Sequence, residues 1–269
     1  MLIKLFLALS GISPYVKKLL WRQWYQFLAG HHQTKDWSFM NYGYAPLHDH
    51  SDTVKLDEPD EPNRYFIQLY HHVVSAVDLT NLDVLEIGSG RGGGASYIKR
   101  YLKPKALTGV DLSDKAIQFC QHTHDVDRLS FIKGDGESLS FDAERFDVVI
   151  NIESSHCYAS METFLAEAKR VLRHDGYLIY ADFRNKNDVD VLHCQMQKSG
   201  MKILKREDIT PNVVRSLDLD NQRKLLLIRA LFQNWLLKPF QEFAGVKGSK
   251  IYAGFQSGTM MYLHYVLRK

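Results

Sequence analysis

Two short stretches hold the residue types and spacings that can do chemistry. In "VLEIGSGRGGGASYI", Val84 to Ile98, apolar strand-favouring residues run into a glycine cluster and then into a helical pattern. Gly88-x-Gly90-x-x-Gly93 has the spacing of a dinucleotide fingerprint, and Asp111 follows at about the distance expected of an acid that holds a ribose. A nicotinamide-dependent oxidoreductase is therefore one reading. Glu86 argues against it, because a carboxylate just before the bend gains nothing beside a pyrophosphate. A ligand carrying an ammonium and a sulfonium would favour that charge. Gly88, Gly90 and Gly92 let the backbone turn tightly and approach such a ligand with no Cβ in the way. The second stretch, "NIESSHCY", supplies His156, whose imidazole titrates near neutrality and suits a general base.

Acids at strand ends complete the first constellation. Asp111 closes "GVDLS", where its carboxylate can accept from ribose hydroxyls, and Asp135 in "GDGESLSF" can help to recognise an adenine edge. A glutamate-containing glycine bend followed by two such acids is more specific than the glycines alone, and it points to S-adenosylmethionine. The expected cofactor set is Tyr42, Glu86, Gly88, Ser89, Gly90, Gly92, Asp111, Leu112, Asp135, Gly136, Glu137 and Asn151. Tyr42 and Tyr44 lie in an aromatic "MNYGYA" segment that is expected to fold over the ligand. Asp182, ending "GYLIYAD", is expected to orient His156, and these two residues form the candidate catalytic pair. Cys157 is expected to pack, since no step requires a thiolate. His71 and His72 have no third ligand at metal spacing nearby, so no metal is expected.

These residues need elements that bring strand ends together. From Asp83 the chain alternates apolar strands with amphipathic helices: "VLEIG", helix, "ALTGVDL", helix, "LSFIKGD", then "FDVVINIE", helix and "GYLIYADF". Such alternation predicts a parallel sheet with right-handed crossovers and a ligand beyond the carboxyl ends of the strands. In "METFLAEAKRVLR", Phe164, Leu165, Ala168, Val171 and Leu172 form one apolar stripe. Beyond Asn185 a long leucine-rich helical stretch, interrupted at Pro239, reads as a cap, and "TMMYLHYVLRK" reads as a strand returning to the sheet. The predicted fold is α/β: a doubly wound, mostly parallel, Rossmann-like sheet with a helical N-terminal lid and a helical insertion before the last strand. The expected divisions are a lid segment over residues 1–62, a cofactor-binding core over 63–184, a helical cap with one core strand over 185–258, and a final core strand over 259–269.

The ordered motifs "VLEIGSGRGGGASYI", "GVDLS", "GDGESLSF", "FDVVINIESSHCY" and "AKRVLRHDGYLIYADF" resemble those of class I S-adenosylmethionine-dependent methyltransferases across roughly residues 82–184. The segments "PDEPNRYFIQLYHH", "QEFAGVKGS" and "YVKKLLWRQWY" extend the likeness to the phthiotriolone/phenolphthiotriolone dimycocerosate methyltransferase family. That resemblance implies methyl transfer from S-adenosylmethionine to a small-molecule or lipid-like acceptor, most readily at oxygen. Arg91 departs from it, standing where those enzymes tend to carry histidine.

Composition narrows the alternatives. A net charge of +3 with interspersed acids and bases gives no basic stripe, so a nucleic-acid partner is not expected. Cys120, Cys157 and Cys194 are sparse and odd in number, as in a reducing, cytoplasmic setting. The apolar start "MLIKLFLALSG" is too short to span a bilayer. With Lys17, Lys18 and Arg22 on one side and Val16, Leu19, Leu20, Phe27 and Leu28 at helical spacing, the next segment reads as an amphipathic helix bearing Trp21 and Trp24. Such a helix either packs over the active-site mouth or makes peripheral contact with a membrane, and a lipid substrate would suit both. A non-catalytic membrane-docking module of the same fold is the remaining rival. Acceptor identity, the atom methylated and oligomeric state stay open.

Overall fold

The computed structural model describes residues 37–48 and 53–269, together with Val16 and Gln23. Most of the expected N-terminal amphipathic helix therefore lies outside the described residues. A 3₁₀ turn over Glu58–Asn63 leads into α1 (Arg64–Val74). The core then runs β1 (Asp83–Ile87), α2 (Gly93–Tyr101), β2 (Ala106–Asp111), α3 (Asp114–Thr123), β3 (Leu129–Lys133), β4 (Phe146–Ile152), α4 (Met161–Val171) and β5 (Leu172–Asn185). It continues with α5 (Val189–Lys198), β6 (Lys202–Asp208), α6 (Thr210–Leu231), α7 (Asn234–Phe243), α8 (Lys250–Ser257) and β7 (Met260–Arg268).

The seven strands form one sheet in the order β3-β2-β1-β4-β5-β7-β6. β1 to β5 pair in parallel, while β7 runs antiparallel to both of its neighbours. The order reverses between β1 and β4, which opens a crevice at their carboxyl ends. β1 is buried throughout, as a central strand covered on both faces must be, whereas β6 at the edge alternates between exposed and half-buried residues. α1, α2, α3, α6 and α8 supply one apolar layer, and α4 and α5 supply the other.

Local chemistry sets several boundaries. The Ser113 and Ser160 hydroxyls accept from the backbone N–H groups of Ala116 (3.2 Å) and Thr163 (3.1 Å), capping α3 and α4. The Phe164, Leu165, Ala168, Val171 and Leu172 stripe is fully buried. At the amino ends of the strands Arg173 ties β1 to β4, donating to Asp83 (3.0 Å) and Asp147 (2.7 Å). The helical break after α6 falls at Phe232–Gln233 and not at Pro239, which lies inside α7. The Phe232 ring is buried and stacks on Phe240 at 3.4 Å between centroids. That contact folds α7 back against α6, and the proline, beyond the first turn, costs a single helical hydrogen bond.

Phe164 has no exposed surface and anchors α4 to the sheet. Phe164→Ala is expected to lower unfolding free energy by about 3–5 kcal/mol, read from urea denaturation.

Candidate active site

A cleft of about 990 Å³, partly open to solvent, lies beyond the carboxyl ends of β1, β2, β3 and β4. Its floor is the glycine bend. Gly88, Gly90 and Gly92 all have positive φ (79°, 54° and 76°), and a Cβ on Gly88 would sit 2.3 Å from the Ser154 side chain. Gly92 does not line the cleft but forms the left-handed entry to α2, with Cys120, His124 and Phe131 against it. Gly93, named above only in the dinucleotide spacing, and Gly94, which the sequence reading passed over, do line it. A Cβ on Gly94 would fall 1.9 Å from the Tyr70 ring.

Glu86 is fully buried one step below this floor. Tyr70 Oη, from α1, donates to its Oε1 at 2.8 Å, while Oε2 has no partner among the described residues. Burial pushes the carboxyl up to about 8, against the lowering effect of the Tyr70 hydrogen bond. Asp111 lines the cleft, accepting from Gly90 N–H (2.9 Å) and Ser113 N–H (2.8 Å), and burial pushes it up to about 6. Glu153, at a positive φ of 47°, also lines it. Its Oε1 accepts from Tyr42 N–H and Tyr262 Oη, each at 2.8 Å, and burial raises it to about 7. Asp111 and Glu153 on the cleft wall, with Glu86 buried behind it, favour a cationic ligand. Ser89, Leu112, Asp135 and Gly136 line the cleft as well, and among the described residues the buried Ser89 hydroxyl has no partner. The cleft carboxylates, the Ser89 Oγ and the glycine cradle fit the amino, sugar and base portions of S-adenosylmethionine.

Besides Gly92 and Glu86, three more expected cofactor residues do not line the cleft. The Tyr42 ring packs at 5.5 Å from Phe183 and 5.4 Å from Phe255, while its neighbours Ser38, Phe39, Met40 and Asn41 supply the cleft wall. Glu137 accepts from the N–H groups of Ala159 (3.1 Å) and Ser160 (2.7 Å), clasping the loop before α4. Asn151 is buried within β4 and donates to the Ile87 carbonyl, Ser154 and Tyr158. Arg91 stacks over Phe119 at 3.9 Å and donates through Nε to the Trp37 carbonyl. The unforeseen Tyr70 and Tyr158 belong to the cleft wall, and Cys157, whose thiol was expected to pack, also lines it.

His156 sits in a 3₁₀ turn, Ser155–Cys157, between the wall residues Ser154 and Cys157. Its Nδ1 is 2.9 Å from Asp182 Oδ1, and its backbone N–H donates to Oδ2 at 2.9 Å. Asp182 is fully buried and also accepts from Ser155 Oγ (2.6 Å), with Arg184 at 3.3 Å. His156, Arg184 and Ser155 outweigh burial and hold Asp182 well below the usual carboxylate range. Burial by itself would lower the imidazole. The Cys157 sulfur and the Asp182 carboxylate act against burial and raise the ring above its ordinary value.

A glycine cradle with strand-end acids at the switch point of a mostly parallel sheet defines a class I, Rossmann-like methyltransferase, and residues 85–180 match the family described as "Methyltransferase domain". The chain is 38% identical over 264 residues to the phthiotriol/phenolphthiotriol dimycocerosates methyltransferase of Mycobacterium leprae, covering 98% of this chain and 97% of the relative. It is 37% identical over 218 residues to a fatty-acid O-methyltransferase of Mycolicibacterium smegmatis, covering 80% and 79%. The cyclopropane synthase MmaA2 of Mycobacterium tuberculosis shares the fold, with a TM-score of 0.66 at 16% identity over 91% of this chain and 97% of that one. The chain belongs to the phthiotriol/phenolphthiotriol dimycocerosates methyltransferase family, and S-adenosylmethionine is its methyl donor. The nicotinamide alternative gains nothing from these matches.

The raised Glu86 carboxyl sets a pH dependence. Its folded value lies above its ordinary one, so its contribution to stability is complete below about pH 4.5 and is lost as pH rises through about 8. Without cofactor, denaturation midpoints should fall over that window, and Glu86→Gln should flatten the slope. Gly94→Ala should displace Tyr70 from Glu86 and weaken S-adenosylmethionine binding by at least about tenfold, near 1.4 kcal/mol, by calorimetry.

Proposed function

We propose that the chain O-methylates a long-chain, lipid-like alcohol, with His156 as general base and Asp182 as its positioning partner. The observation that carries this reading is an apolar pocket of about 580 Å³ that shares the wall Phe39–Met40–Asn41 with the cofactor cleft. Phe66, Ile228, Leu231, Phe232, Phe240 and Phe243 line it, so an acyl or alkyl chain gains by leaving water there. Relatives named for dimycocerosates and for fatty acids support the same acceptor class. Residues 185–258 are proposed as the cap over this pocket, residues 1–62 as the lid and residues 63–184 and 259–269 as the core.

When bound, S-adenosylmethionine supplies a methyl group already activated by its sulfonium. The Phe39–Asn41 wall and the glycine floor fix the angle of approach of an acceptor oxygen. Asp182 holds the His156 ring through Nδ1, and the dyad takes the hydroxyl proton as the new bond forms. Because Asp182 raises the imidazole, the base form is populated only above neutrality.

Lys224 lies in the same pocket and favours a second reading, in which the acceptor is a carboxylate that needs no base. One experiment separates the two. His156→Ala should reduce methylation of a long-chain alcohol about 10²–10⁴-fold while leaving cofactor affinity within about twofold, as measured with radiolabelled methyl donor and lipid extraction. Equal loss on a fatty acid and an alcohol, or no loss on either, would remove the base assignment. Alcohol turnover in the wild type should climb with pH from 6.5 into the alkaline range.

A further inference from the structure

On the far side of α1 from the Tyr70–Glu86 contact, the fold gathers a cluster that no step of methyl transfer uses. His72 of α1, Glu207 of β6 and His264 of β7 bring one ligand atom each to within 4.8 Å of the others. His72 Nε2 lies 3.0 Å from Glu207 Oε2, and His264 Nδ1 lies 3.2 Å from the same oxygen. Tetrahedral zinc with bonds of 2.0–2.1 Å places its ligand atoms about 3.3 Å apart. The two measured separations are close to that edge. Two imidazoles and one carboxylate are also a ligand set that zinc takes with a fourth position left for water. The His72 ring is held in place by Tyr44, stacked on it at 4.2 Å with an interplanar angle of 14°, and His264 has no exposed surface.

A cation already stands at the shared oxygen. Lys205 Nζ is 2.9 Å from Glu207 Oε2. Its side chain is well exposed, on the edge strand, and can swing into water without opening the core. Lys205 therefore answers the Glu207 charge in the metal-free protein and competes with any metal for it.

We propose that His72, Glu207 and His264 form a zinc site that pins α1 to the β6–β7 edge of the sheet. Since α1 also carries Tyr70, the metal would steady the helix that donates to Glu86, at a distance from the reacting atoms.

The test uses the full chain, stripped with a chelator and titrated with zinc chloride in a calorimeter, with X-ray absorption at the zinc edge on the loaded sample. The expected result is one equivalent bound, a nitrogen and oxygen shell with no sulfur, and at least tenfold weaker uptake in both His72→Gln and Glu207→Gln. A sulfur shell would place the metal on cysteines and overturn the proposal. Absence of uptake at micromolar zinc, or uptake unchanged in His72→Gln, would do the same. Lys205→Met, which lies outside the ligand set, keeps the test informative if a ligand variant fails to fold. It should tighten zinc binding severalfold, and weaker or unchanged binding would count against the site.

Discussion

Burying a carboxylate at the end of a central strand is costly, and the architecture around Glu86 follows from how that cost is met. The acid cannot leave the sheet, because β1 is covered on both faces. Among the described residues its one protein donor, Tyr70, comes from α1, a helix that precedes the sheet in the chain. Helix placement is thereby tied to the charge state of a single group. The glycines next to it serve the same end, since Gly94 has no side chain to push the phenol away.

A second coupling runs through the backbone of one residue. Tyr42 gives its N–H to Glu153, which lines the cofactor cleft, and its carbonyl accepts from Ser216 at 3.2 Å, with Lys224 at 3.5 Å, on the side of the apolar pocket. Tyr42 was expected to touch the cofactor through its ring. It works instead through its backbone, while its side chain seals the aromatic cluster with Phe183 and Phe255.

Much of the fold was legible because its signals are local: apolar strand runs, the apolar stripe of α4 and the glycine bend are each contained within about a dozen residues. The His156–Asp182 pairing was legible as well, since His156 follows the end of β4 and Asp182 lies on the adjacent parallel strand β5. Contacts between distant segments were not. Glu137 and Asn151 stand where cofactor residues would be expected, but their side chains turn to loop N–H groups and to Ser154 and Tyr158, an outcome decided by tertiary packing. Tyr70 looked like any aromatic on an amphipathic helix. His72 lies 135 residues from Glu207, so no local spacing rule could bring the two together.

The position of β7 bears on the order in which the molecule assembles. β6 touches the sheet only through β7, yet it precedes β7 in the chain. Until residues 260–268 insert, the outer rim of β5 stays open and β6 has nothing to zip against. Closure of this half is thus a late, non-local event on the folding route, and a nascent chain carries an adhesive rim until it occurs.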